Sequence, residues 1–304
     1  MKRAIIIFAV ITALLSRIPV TACAEGVKSG SVLVSVNRTF IEMDVISDTG
    51  AYIGEALYDP FDDEYLCRLT LIAELAGLSP EESLEKDGCT YWATDGDFAM
   101  KTVMGSDYAT VNYRFFYTPG NFRVIGGEFY FEVSFLCKIF GFDADLESAS
   151  GNIVIAENGE GVVSGDGDYY NDTFGKENIK WLSRIIQAEA EGEDLACKIA
   201  VGNVVLNRID DPYFPSTVYD VIFQVDVDGT VQFTPTETEG IYLPPSDEAI
   251  IAAYACYEGA NTAGMSEFFA DPAKGDVSWF ESQLTYVVTL GSLSFYADPK
   301  RVNQ

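Results

Sequence analysis

Leu182, Ile185, Ile186 and Glu189 stand at i, i+3, i+4 and i+7 of the run Trp181–Glu189. That spacing predicts a helix with an apolar face on which Glu189 itself lies. The pattern breaks at Gly192, and a second apolar helix is predicted over Leu195–Arg208. Residues 25–160 are different: short β-like stretches alternate with turns, and a weak internal duplication runs through them. Glu64–Leu78 can be laid on Glu128–Phe142, with Gly77 on Gly141 and Leu71 on Phe135. In each copy a helical pattern ends at glycine, the usual left-handed C-cap. Val36-Asn37 and Val111-Asn112 mark preceding strands, and Cys89–Ala93 and Asn152–Ala156 are strand candidates that follow. Residues 161–176 are rich in Gly, Asp and Asn and have no period, which predicts a linker. Beyond it come long helical patterns, then a strand pair.

The first residues read as a leader. Lys2 and Arg3 precede the apolar run Ala4–Leu15, and Ala22-Cys23-Ala24 forms a small-residue cleavage site. Residues 1–24 are therefore expected to be a secretory signal peptide, with an apolar core too short to span a bilayer. Val20-Thr21-Ala22-Cys23 also resembles a bacterial lipobox, so a lipid anchor at Cys23 is the alternative processing; Arg17 and Pro19 interrupt its approach. No later run is long and apolar enough to span. The expected product is an extracytoplasmic, cell-wall-associated monomer.

Charge changes the list of partners. The formal charge of −28 argues against nucleic acid and against an anionic lipid surface. Cleavage after Ala24 leaves five of the six cysteines, Cys67, Cys89, Cys137, Cys197 and Cys256, at spacings that suit neither a disulfide framework nor a zinc site. All five are expected to be small buried hydrophobes. There is no histidine in the chain. That removes Ser-His and Cys-His pairs, His-ligated zinc and imidazole acid–base chemistry. No metal or cofactor is called for. Carboxyl groups alone suffice for glycosidic bonds. Glu189, held against apolar side chains, should have a raised pKa and be able to donate a proton near neutrality.

Around Glu189 the residues become specific. The chain reads Glu189-Ala190-Glu191-Gly192-Glu193, then Ala200-Val201-Gly202-Asn203-Val204-Val205-Leu206-Asn207-Arg208, then Phe214-Pro215-Ser216-Thr217-Val218. Gln232-Phe233-Thr234-Pro235 and Phe295-Tyr296 follow. In order and spacing, residues 178–297 resemble the SleB-type cell-wall hydrolases of spore cortex and related peptidoglycan. The resemblance implies a lysozyme-like, mainly helical α+β catalytic domain with a small β-hairpin over residues 177–304. It implies Glu189 as catalytic acid in a lytic-transglycosylase-type cleavage of the MurNAc–GlcNAc bond in peptidoglycan glycan strands. Glu189 would first protonate the leaving oxygen, then take the proton of the muramyl 6-hydroxyl as a 1,6-anhydro ring closes. No second carboxylate nucleophile is then required.

By position, Gln232 and Thr234 are candidates to hydrogen-bond the sugar, with Phe233 or Tyr296 as an apolar platform. Core packing is an equal expectation for Phe233, Phe268, Phe269 and Trp279. Glu193 is a supporting residue, expected as a negative charge at the next helix N-terminus. Asn207 and Arg208 are expected to cap a helix or form a buried pair. Residues 25–160 resemble the copper amine oxidase N-terminal-like stalk domain, an α+β domain of two small repeats, with Leu66-Cys67-Arg68-Leu69 and Phe131-Glu132-Val133 at its motif positions. Two residues depart from the hydrolase pattern: Glu191 replaces a common Arg and should raise the pKa of Glu189 further, and Leu293 replaces a usual histidine. Those departures keep open a non-catalytic glycan-binding protein with a degenerate hydrolase domain. A stem-peptide amidase fits less well, since such enzymes generally need a metal site.

Overall fold

The computed structural model describes residues 20–22, 38–84, 89–94, 98–103, 105–120, 122–126, 128–147, 150–164 and 173–302. The expected leader, with Cys23, lies outside them apart from Val20–Ala22, which runs antiparallel to the strand Arg38–Ser47. Among the described residues no helix is long and apolar enough to cross a membrane. The chain forms two compact units, residues 1–113 with 118–164, and residues 114–117 with 165–304. The short strand Arg114–Tyr117 thus belongs to the second unit, which sequence periodicity gave no reason to expect.

In the first unit the main sheet runs in the order Arg123–Ile125, Glu128–Glu132, Glu64–Arg68, Tyr52–Asp59, Arg38–Ser47, Asn152–Glu157, Phe142–Glu147. Every neighbour is antiparallel except Asn152–Glu157 against Arg38–Ser47. Glu64–Arg68 leads straight into the helix Leu69–Leu75, and Glu128–Glu132 into Val133–Phe140. These two strands pair with Cys67 opposite Phe131. Gly141, at φ 80°, caps the second helix in the left-handed conformation that glycine adopts without a Cβ penalty. Phe40, Leu57, Leu66 and Ile125 form one apolar cluster on this sheet. A smaller antiparallel sheet orders Glu81–Leu84, Cys89–Ala93, Ala99–Val103 and Tyr108–Val111. Val36-Asn37 lies outside the described residues.

The second unit is α+β. Its helices are Thr173–Ala190, Leu195–Asp210, Val218–Ile222 and Asp247–Tyr257, with the short helices Ser278–Gln283 and Pro299–Val302 near the end. The first of these starts inside the expected 161–176 linker. Leu195–Asp210 is buried on nearly every side, as a helix apolar all round must be. Its N-terminus is capped by Asp194, whose carboxylate accepts from Cys197 N–H at 2.8 Å. Asp247–Tyr257 is capped by Ser246 and carries Asp247 and Glu248 in its first turn, where the helix dipole favours them. Cys67, Cys137, Cys197 and Cys256 are buried free thiols.

Three helices meet at Gly202. A Cβ built there would stand 2.6 Å from Cys256 Sγ and 3.1 Å from Ile186 Cδ1. Glycine is therefore required by close helix approach, and a larger residue must push two helices apart. Gly202→Val is expected to cost about 1–3 kcal/mol by overpacking, read as a lower midpoint in urea at unchanged slope.

The expected terminal hairpin is present as Thr285–Leu290 with Leu293–Ala297, and a third strand, Phe268–Ala270, joins its other side. Three residues are too few to show a period.

Candidate active site

Leu182, Ile185 and Ile186 are fully buried against the unit's core. The same helical face carries Glu189 one turn further on, just before the helix ends at Ala190 and the chain turns at Glu191 and Gly192. Glu189 is half-buried and opens on a cavity of about 310 Å³ lined also by Arg208, Gln232, Phe233, Thr234, Phe268, Phe269 and Asp271. Burial pushes its carboxyl up to about 7, and Lys274 pulls it back. A group poised there donates a proton at neutral pH and accepts one back.

The neighbouring charge that acts on Glu189 is thus positive, not the negative Glu191 expected from sequence. Glu191 is exposed and lines a second cavity of about 470 Å³ with Gln187, Glu237 and Leu243. Thr234 borders both cavities. The two spaces therefore flank the end of the Glu189 helix.

Of the other candidates, Gln232, Phe233 and Thr234 come together with Glu189. Thr234 is exposed and begins a 3₁₀ turn. Gln232 is held by its amide, which donates to Asp226 Oδ2 at 2.8 Å. Phe233 lines the cavity yet is only 2% exposed, so most of its ring serves packing. Tyr296 is placed elsewhere. It is 2% exposed, packs on Phe280 and Tyr286 at ring-centroid distances of 5.4 and 6.0 Å, and is absent from the cavity wall. A buried ring offers no sugar platform. Leu293, the position where the resemblance has histidine, does line the cavity.

Glu193 does not serve the next helix N-terminus, where Asp194 is the cap. Its carboxylate instead accepts from Ser292 N–H at 3.1 Å and Ser292 Oγ–H at 2.6 Å. This ties the break after Glu189 to the hairpin turn that delivers Leu293. Gly291 beside it has φ 55°, and a Cβ there would collide with the Glu193 carboxylate. Glu193→Ala is expected to cost about 1–2 kcal/mol, the scale of hydrogen bonds to a charged group discounted for exposure. Thermal unfolding checks the loss, and Glu193→Gln should recover part of it.

Arg208, expected to cap a helix or form a buried pair, also reaches the cavity wall. Its Nε donates to the Glu267 backbone carbonyl at 2.7 Å, while Asn207 Nδ2 donates to the carbonyls of Gly264 and Ser266 at 2.9 and 2.8 Å. Neither residue caps the helix, which runs on to Asp210. Both instead fix the segment that leads into Phe268 and Phe269. The guanidinium stands 5.0–5.3 Å from the centroids of Phe214, Phe233 and Phe268. Burial lowers its pKa to about 10, against the pull of Glu267 and Asp226, so it remains a cation at neutral pH. Its Nη1 finds no acceptor among the described residues, and the ring faces around it take that place.

Comparison with known proteins bears on the C-terminal part of the chain. Residues 192–296 match the cell wall hydrolase family model; the match begins just past Glu189. Curated relatives include the spore cortex-lytic enzymes of Halalkalibacterium halodurans, 27% identical over 110 residues, and of Bacillus subtilis, 27% over 106. These alignments cover 36% and 35% of this chain and 32% and 33% of the relatives, so the chain spans about a third of their length. Among solved structures, the catalytic domain of the germination-specific lytic transglycosylase SleB from Bacillus anthracis is 25% identical, with a TM-score of 0.37. That alignment covers 41% of this chain and 98% of that one. Over residues 192–296 the C-terminal part of this chain is similar to cell wall hydrolase domains.

Proposed function

We propose that the chain cleaves the glycan strands of peptidoglycan, with Glu189 as general acid and then general base. The observation that carries this reading is a carboxyl pushed by burial to about 7 on the wall of an open cavity, in the unit that is similar to the hydrolase domains. The bond is the one between N-acetylmuramic acid and N-acetylglucosamine. Protonated Glu189 gives its proton to the bridging oxygen as the bond to the muramyl anomeric carbon breaks. The muramyl 6-hydroxyl then attacks that carbon, its proton passes to Glu189, and a 1,6-anhydro ring closes. The acid is restored without a metal or cofactor.

Gln232 and Thr234 are suited to hold sugar hydroxyl or N-acetyl groups, since both offer polar side chains at the cavity wall. The second unit is read as lysozyme-like. Residues 25–160 are read as a stalk-like spacer or wall-associating module, and the setting as extracytoplasmic. The spore cortex-lytic relatives support cortex or a related wall as target. Leu293 at the cavity wall supports one competing reading, a glycan-binding protein whose site has lost part of its machinery.

The test is to incubate the purified chain with peptidoglycan and identify the soluble products by mass spectrometry. Muropeptides ending in 1,6-anhydro-muramic acid are expected. Reducing muramic acid ends would overturn the transglycosylase step, and binding without any product would leave only the competing reading.

A further inference from the structure

The cavity wall at Glu189 holds a second acidic group. Of its lining residues, Glu189 and Asp271 are the two carboxylates. Asp271 follows directly on the strand Phe268–Ala270, which pairs with Leu293–Ala297, so its backbone is anchored in the sheet. Its side chain is 11% exposed. Oδ1 accepts from Ala273 N–H at 2.9 Å, and Oδ2 pairs with Lys274 Nζ at 3.0 Å. We infer that Asp271 is a second catalytic carboxylate, whose negative charge stabilises the positive charge that develops on the sugar as the glycosidic bond breaks.

The inference rests on the reading of Glu189 as acid. The surroundings of the two groups differ in the way such a division of labour requires. Glu189 is desolvated and keeps its proton near neutrality. Asp271 is held below the ordinary carboxylate range by hydrogen bonds from Lys274 and from the Ala273 amide. One site therefore contains a proton donor and a fixed anion, the pairing that glycoside cleavage uses. Lys274 is 82% exposed, and its ion pair with Asp271 is a weak surface contact that an entering sugar displaces. The other nearby acids have different tasks. Glu193 accepts from Ser292, Asp226 accepts from Gln232, and Glu191 lines the other cavity.

The step balances without a covalent bond to Asp271. The Glu189 proton goes to the leaving oxygen, the bonding pair leaves with that oxygen, and the anomeric cation is captured by the muramyl 6-hydroxyl. That hydroxyl's proton returns to Glu189. Asp271 changes neither its protonation nor its bonding.

Asp271→Asn separates charge from geometry, because asparagine keeps an oxygen for the Ala273 amide. With the full chain on soluble, uncrosslinked glycan strands, kcat should fall about 10–100-fold while KM stays within about twofold. The same loss should appear when Asp271→Asn is made in a Lys274→Gln background, which removes the freed ammonium as its cause. Wild-type kcat for Asp271→Asn beside an inactive Glu189→Gln would overturn the second carboxylate and leave the acid in place. Recovery of kcat in the double variant would overturn it too. Full activity of Glu189→Gln would overturn the reading beneath both.

Discussion

Glu189→Gln should lower glycan-strand cleavage about 10²–10⁴-fold, the usual contribution of a positioned general acid. The amide has nearly the same shape and makes no demand on the packing of Leu182, Ile185 and Ile186, which are fully buried on the same helical face. It cannot hand a proton to the bridging oxygen. The variant should also fold more stably than the wild type at neutral pH and above. A carboxyl raised from 4.5 to about 7 in the fold is ionised more readily in the unfolded chain. Below about 4.5 it is protonated in both states and carries no penalty. Between about 4.5 and about 7 the unfolded state ionises first, so wild-type stability declines across that window and then levels off. The difference between Glu189→Gln and wild type should therefore grow to as much as about 3 kcal/mol above pH 7 and vanish below 4.5. Urea unfolding of both proteins at pH 4 and pH 8 reads this directly. Equal stability at the two pH values would mean that Glu189 is not desolvated.

The second large effect is on the pH dependence of catalysis. If the reactive form is protonated Glu189, kcat/KM should be flat on the acid side of about 7 and fall tenfold per pH unit above it. Lys274 lowers the Glu189 pKa by favouring the carboxylate. Lys274→Gln should therefore move the fall to higher pH, by less than about one unit because the ammonium is solvent-screened. A shift to lower pH would contradict the sign of that interaction.

The central pieces were readable in the sequence for a definite reason. Periodicity assigns a face, and the face of Leu182, Ile185 and Ile186 carried Glu189 into a desolvated position. The glycines that end the two strand–helix segments were readable too, because a left-handed backbone leaves few other residues. What was not readable depends on distant partners. Position alone points Glu193 at the nearest helix end, whereas its carboxylate reaches Ser292, far along the chain. Adjacency points Glu191 at Glu189, yet the break in the helix sends its side chain to another cavity. Tyr296 stood beside Phe295 in a matching motif, but alternation could not reveal that the strand Leu293–Ala297 is buried throughout, covered on both edges by strands. Asp271 and Lys274 come from a short turn after a three-residue strand, where no period exists to point at them. A two-residue clue, aspartate before proline, signals a turn and says nothing about which cavity the turn enters.

The proposed cleavage turns on Glu189 as a proton donor to a glycosidic oxygen. The most direct measurement is the rate at which wild type and Glu189→Gln release new saccharide ends from purified peptidoglycan, followed across pH. The wild type should release 1,6-anhydro ends at a rate that falls above pH ~7, and folded Glu189→Gln should release almost none. Saccharide release by folded Glu189→Gln at the wild-type rate would contradict the account.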